Sequence, residues 1–187
     1  MKESILIHPL SDSNSVRDES FFTGHAFSAS SPETADEVRQ VILCCAAHGI
    51  TITPHGGLTG INGAGTATNN HSMNLQHLTG VSYRAKDNTL WALAGTTFSE
   101  IETSVRKESN MTREFPASPT EKSATIGGAL SFGARGLRSY KYGSVSDFVT
   151  ELEYCDCNGN LHLCSASDSN FHDLLGSEGM LGIITGV

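Results

Sequence analysis

The sequence predicts an α+β fold in which helices and short strands alternate around a glycine-rich loop, and three observations carry that expectation. A helical period leads into a short alternating run, Ile50 to Thr53, and then into the stretch PHGGLTGINGAG from Pro54 to Gly65. Two further pairs of strand-like segments flank turn signals at Lys86, Asp87 and Asn88 and at Asn158 and Gly159. Nineteen glycines with only 17% charged residues suit a globular chain rich in turns and short strands, rather than a disordered chain or a helical bundle.

The composition bounds what this chain can do. At 187 residues and 38% hydrophobic, it is long enough to bury a core in one sizeable domain or two small ones. A formal charge of −8, from 20 acidic and 12 basic residues, argues against general nucleic-acid binding and against an anionic membrane surface. The longest apolar run, Val41 to Ala47, falls far short of the ~20 residues that span a bilayer. The N-terminal MKESILIHPL has too short an apolar core for a signal peptide. Five cysteines make an odd count without metal-ligand spacing, so no metal is expected. Cys155 and Cys157 are expected on one face of a strand, and Cys44 and Cys45 in an apolar helix. All five read as reduced thiols, which implies a reducing, cytoplasmic compartment.

Taken in order, residues 1–31 show no sustained period beyond the apolar patches Ile5 to Ile7 and Phe21 to Phe22, and read as a partly ordered arm. Ser31 and Pro32 signal a helix start, and Ala35, Val38, Val41, Ile42 and Cys45 share a face up to the stop at Gly49. Ser72 to Leu75 is a short strand, and Val81 to Ala85 with Thr89 to Ala94 a hairpin closed off by Gly95. Thr96 or Thr97 caps a helix through Ile101 and Val105. A short helix of small residues follows at Ile126 to Phe132, broken by Gly133 and Gly136. Phe148 to Cys157 is a strand, Asn158 and Gly159 a type I′ turn, and Leu161 to Cys164 the return. Asp168 to Leu175 is a helix capped by Ser167 or Asp168, and the last stretch, GSEGMLGIITGV, turns into a β-branched strand. No internal repeat is present.

Three regions carry candidate chemistry. In the first loop, Gly56, Gly57, Gly60, Gly63 and Gly65 allow positive φ and leave main-chain N–H groups open to an anion such as phosphate. A plain flexible turn is the alternative. Neither a Walker loop nor a GxGxxG dinucleotide fingerprint is present. The second region, FPASPTEKSATIGG from Phe115 to Gly128, reads either as a binding loop whose Ser123 to Thr125 opens a helix toward an anion, or as an ordinary connection with a helix cap. The third, Arg135, Arg138, Tyr140, Lys141 and Tyr142 up to Gly143, is basic and aromatic and equally suits a solvated surface.

Together PHGGLTGINGAG, FPASPTEKSATIGG with RSYKYG (Arg138 to Gly143), and GSEGMLGIIT (Gly176 to Thr185) resemble the FAD-binding domain of the vanillyl-alcohol oxidase (PCMH) type, as found in glycolate oxidase and D-lactate dehydrogenase flavoproteins. The blocks follow the family's order and cover the chain from about Pro32 onward. The resemblance implies two α+β subdomains, at about 32–95 and 96–187, holding FAD between them, with the family's cap domain absent. By the same resemblance His55, Gly56, Gly57, Leu58, Thr59 and Gly60 would contact the pyrophosphate. Pro116, Thr120, Ala124, Thr125, Gly127 and Gly128 would line the flavin and ribityl region. Gly143, Glu178, Gly182 and Ile183 would meet the adenosine or flavin end. Some relatives attach FAD through a histidine in the first loop; Leu58 stands at that place, which implies non-covalent FAD.

The expected function is therefore the FAD-binding portion of an oxidoreductase acting on a 2-hydroxy acid of the glycolate or D-lactate type, the substrate being met through a cap domain. An alternative is a stand-alone FAD-binding module or subunit that is inactive until a partner subunit supplies the cap. A glycine-rich β protein without a cofactor is the third reading. No catalytic acid or base carries over onto this chain.

Overall fold

A computed structural model describes residues 7–9 and 15–187 of the chain. The Ile5 to Ile7 patch lies, apart from Ile7, outside the described residues. The first strands are β1 (His8–Pro9), β2 (Ser15–Arg17), β3 (Thr23–His25) and β4 (Ser28–Ser30). They fall within the stretch expected to be an arm. β2 and β3 form an antiparallel hairpin, whereas β4 is an inner strand of a four-stranded sheet. Its sequence, SAS, carries no apolar signal, because Ser28 and Ser30 turn inward to bond a buried histidine rather than to pack on a core.

Helix α1 spans Ala35–Ala47, with Thr34 as N-cap accepting from the Glu37 N–H; the start is one turn later than Ser31 and Pro32 suggest. Its buried face is Val38, Val41, Ile42 and Cys45, the face expected from the period. The chain then enters β5 (Ile52–His55), so the strand includes the first two residues of the glycine-rich stretch. With β6 (His71–Asn74) it completes the sheet in the order β1-β4-β6-β5, in which β4, β6 and β5 are parallel and β1 is antiparallel to β4.

Strands β7 (Val81–Arg84) and β8 (Thr89–Ala92) form the expected hairpin. Helix α2 (Phe98–Glu108) starts from a capping box in which Thr97 accepts from the Glu100 N–H and Glu100 reaches back to the Thr97 N–H at 2.8 Å. Thr97→Ala removes one half of that box. It should lower stability by about 1 kcal/mol in urea unfolding, leaving the slope of the transition unchanged.

The second half adds α3 (Ile126–Ser131), α4 (Ser139–Tyr142), a 3-10 turn at Val145–Phe148, β9 (Glu151–Cys155), β10 (Leu161–Ser165), α5 (Ser169–Leu174) and β11 (Ile183–Gly186). β9 thus begins three residues after Phe148, which closes the 3-10 turn instead of opening the strand. The β9–β10 connection is not a type I′ turn. Only Gly159 has positive φ there (76°), and Asp156 accepts from the Gly159 N–H at 3.0 Å while donating to the Asn160 carbonyl at 3.0 Å. This is a three-residue loop with glycine in the left-handed position. Cys157 sits in it, exposed, so it shares no strand face with buried Cys155. All five cysteines are free.

The second sheet runs β10-β9-β11 and is antiparallel. β11 joins it to the central hairpin: Val187 and Ala92 exchange N–H···O bonds of 2.8 and 2.9 Å, and Ala94 donates to Thr185. The hairpin expected in the first subdomain therefore pairs with the second sheet. One apolar core, including Val41, Met73, Phe98, Ile101, Leu130 and Ile184, runs between the two sheets. No described helix is long and apolar enough to cross a membrane.

Candidate functional site: a glycine-lined cleft between two sheets

Three parallel strands ending side by side leave a crevice beyond their carboxyl ends, the usual ligand position in parallel sheets. Here β5 delivers the chain into the glycine loop at that end, and the loop forms one wall of a cleft of about 580 Å³. The opposite wall comes from residues 119–128 and α3, and residues 178–184 close the floor toward β11. Among the expected site residues, His55, Gly56, Gly57, Leu58, Thr59, Gly60, Thr120, Ala124, Thr125, Gly127, Gly128, Glu178, Gly182 and Ile183 line this one cleft.

Two expected residues lie elsewhere. Pro116 borders a second cavity of about 610 Å³ under the β7–β8 hairpin, with Phe115 and Phe148 beside it. Gly143 does not line the cleft. It ends α4 at φ 90°, and a Cβ there would overlap the Asp147 carboxylate, so its glycine serves the turn. Arg138 is likewise turned outward, paired with Glu114 at 2.6 Å and resting on the Tyr142 ring. Of the basic cluster, Arg135 lines the cleft.

The glycines act differently from the sequence expectation. Of the five, only Gly63 has positive φ (79°); the left-handed residue at the heart of the loop is Leu58, at φ 54°. Gly56 and Gly57 are needed for close approach. A Cβ on Gly56 would collide with the Thr125 Oγ1, and one on Gly57 would lie 2.6 Å from the Ser123 carbonyl oxygen. Gly65 leaves room for the Leu58 side chain, since a Cβ there would sit 2.9 Å from Leu58 Cδ2.

The donors available to an anion also differ. Ile126 and Gly127, the first N–H groups of α3, are already spent on the Thr96 and Ala94 carbonyls, both at 2.9 Å. The helix start is thus stitched to the strand end, a tightness that Gly127 permits because a Cβ would press on Ala94. By contrast, among the described residues none of the N–H groups of residues 56–62 donates to another protein group. A run of free N–H groups beside left-handed Leu58 is an anion cradle. The charged side chains around it are Asp18, Glu121, Glu178 and Arg135, with acidic groups in excess, so the neutral N–H groups are the main feature there that suits an anion.

His55 is the one histidine of the cleft lining, and both of its ring nitrogens are engaged. The Gly56 carbonyl can only accept, so Nδ1 carries the proton at 3.3 Å and Nε2 accepts from the Ser72 hydroxyl at 3.0 Å. Burial lowers its pKa, an effect partly opposed by the Gly56 carbonyl, which keeps the ring neutral at neutral pH. No cysteine lines the cleft.

Sequence reasoning missed several lining residues. Asp18, Phe132 and Ala134 reach the cleft from segments lacking any motif, whereas Arg135, Gly179 and Ile184 lie within motif-bearing stretches but were not named as site residues. Asp18 is brought there by its bond to the Gly63 N–H, and Ile184 by the pairing of β11 with β9.

A glycine-lined crevice between a mixed and an antiparallel sheet, with main-chain N–H groups at its loop, suits a nucleotide cofactor. The chain belongs to the FAD binding domain family, which matches residues 29–165. It is similar to the D-2-hydroxyglutarate dehydrogenase of Xanthomonas citri pv. viticola, at 28% identity over 163 residues covering 82% of this chain and 34% of that protein. It is also similar to the D-lactate dehydrogenase of Anaerostipes hadrus, at 28% identity over 161 residues, 81% of this chain and 33% of the other. The chain thus spans about one third of the length of these curated relatives. Among solved structures, Bermuda grass isoallergen BG60 superposes with a TM-score of 0.84 at 22% identity, covering 97% of this chain and 40% of that one. That likeness is one of fold.

Proposed function

We propose that this FAD binding domain serves an oxidoreductase that withdraws hydride from a 2-hydroxy acid of the glycolate or D-lactate type, and that it holds FAD without a covalent bond. The observation that carries the reading is the convergence of residues 55–60, 120–128 and 178–183 on one cleft whose loop offers free N–H groups. Bound FAD supplies the hydride acceptor. The chain supplies placement. The N–H groups of Gly56 to Gly60 receive the pyrophosphate, with the Thr59 hydroxyl as a further donor. Thr120, Ala124, Thr125, Gly127 and Gly128 border the ribityl and flavin portion, and Glu178, Gly182 and Ile183 form the facing wall. The buried apolar residues Ala94, Ala124 and Ile183 exclude water from that portion.

The non-covalent mode rests on side-chain chemistry. Leucine at position 58 offers no nucleophile, and the His55 nitrogens are engaged by Gly56 and Ser72. The substrate pocket and its base belong, in this reading, to a cap domain outside the residues described. The free thiols suit a reducing compartment such as the cytoplasm.

Titration of the purified chain with FAD tests the proposal. Saturable quenching of flavin fluorescence is the expected result, and acid precipitation should then leave the flavin in the supernatant. Flavin retained in the washed pellet would refute the non-covalent mode, and absence of any binding would refute the cofactor reading. For the substrate class, D-lactate or glycolate should bleach the flavin once the domain is joined to a cap domain.

A further inference from the structure

The β2–β3 hairpin lies before residue 29, where the family match begins, yet one of its carboxylates enters the cleft. Asp18 is only 5% exposed. Its Oδ2 accepts from the Gly63 N–H at 2.9 Å, tying the hairpin to the second half of the glycine loop. Its Oδ1 accepts from both the N–H and the hydroxyl of Ser20, which fixes the direction in which the carboxylate points. Other contacts follow the same seam. The Phe22 ring lies against Gly63, where a Cβ would come within 2.9 Å of Cδ2. Gly24 runs so close to the Ala67 carbonyl that a Cβ there would overlap it. The Asn69 N–H reaches the His25 carbonyl at 2.9 Å, and the Phe27 N–H reaches the Asn70 carbonyl at 3.1 Å.

The loop therefore has two supports of different kinds. Its first half is pressed at Gly56 and Gly57 against Ser123 and Thr125, across the space that the cofactor must share. Its second half is held from behind, by a segment with no part in the opposite wall. Between these supports lie the N–H groups of residues 56–62, which have no described partner to hold them in one direction. Preorganised donors bind an anion more tightly than donors that must be ordered on binding.

We propose that Asp18 is a positioning residue of the cofactor site: it latches the N-terminal hairpin onto Gly63 and so holds the pyrophosphate-binding loop in its binding conformation. This rests on the assignment of the cleft to FAD. The carboxylate does not itself touch the cofactor in this role, because both of its oxygens accept from protein donors, Oδ1 from Ser20 and Oδ2 from Gly63.

The test compares wild type, Asp18→Ala and Asp18→Asn by FAD fluorescence titration and by amide hydrogen exchange. Asp18→Ala should weaken FAD binding about tenfold, the loss expected when a charge-assisted hydrogen bond to the loop disappears. The Gly63 amide should exchange faster, while the amide of Ala92, bonded to Val187 in the core, keeps its protection. Asp18→Asn retains one acceptor but sets an NH₂ group against the Ser20 donors, so its affinity should fall between the two. Should Asp18→Ala not fold, Asp18→Asn decides the question. Wild-type FAD affinity in the variant, with Gly63 protection unchanged, overturns the latch while leaving the cofactor reading intact. A wild-type chain that takes up no FAD overturns the cofactor reading and this inference with it.

Discussion

Gly57→Val should weaken FAD binding, raising the dissociation constant at least ~100-fold, which corresponds to about 2.7 kcal/mol. The reason is backbone against backbone. A Cβ at position 57 would stand 2.6 Å from the Ser123 carbonyl oxygen, and no rotamer change can remove a carbonyl. The loop must move away from the 119–128 wall, and the N–H groups it presents move with it. The strain falls on a connection rather than on the core, so far-UV circular dichroism should stay native while fluorescence titration shows no saturation. A variant that bound FAD as tightly as wild type would mean that the cleft between these walls is not where the cofactor lies.

Acidification should cost the fold about 3 kcal/mol between pH 6.5 and 4, through His71. This side chain is fully buried on β6, and its Nδ1 and Nε2 each lie 2.8 Å from a serine hydroxyl, of Ser28 and Ser30 respectively. Burial pushes its pKa down from 6.5 to about 4. A histidine with a lowered folded-state pKa binds its proton more weakly folded than unfolded. Stability is therefore complete above pH 6.5 and falls as the pH drops toward 4. His55 shifts in the same direction and adds to the slope. Urea midpoints at pH 7.5 and 4.5 measure the effect, and His71→Gln, which cannot titrate, should show a much smaller difference between the two. Equal pH slopes for the two proteins would assign the acid sensitivity to other groups.

These two sites differ in how far the sequence disclosed them. The glycine loop was legible because glycines clustered after a strand are rare enough to be noticed, and the helix face Val38, Val41, Ile42 and Cys45 because its period is strong. Less legible was what each glycine does. Steric need at Gly56 and Gly57 depends on residues 123 and 125, far along the chain, whereas positive φ fell on Leu58, a residue type that gives no hint of it. The serine–histidine pairing hid β4 altogether, since an inner strand that satisfies a buried histidine reads as polar. Asp18 was invisible for the same reason: its partner is a backbone N–H, which has no sequence signature. Pro116 and Gly143 came from the resemblance alone, and local packing and turn geometry use them otherwise.

The pairing of β11 with β8 also dictates an order of events. Val187 and Ala92 exchange hydrogen bonds across 95 positions of sequence, and Ile183 and Ile184 line the cleft from the strand that this pairing holds. Such a long-range contact is slow to form, because the intervening loop must be ordered before the contact repays it. The glycine loop and its sheet lie wholly before β11 in the chain, so they can assemble first, but the cleft lacks the wall formed by Ile183 and Ile184 until β11 docks. Closure of β11 on β8 should therefore precede tight FAD binding, and FAD in turn should slow the opening of that pairing, which amide exchange at Ala92 would report.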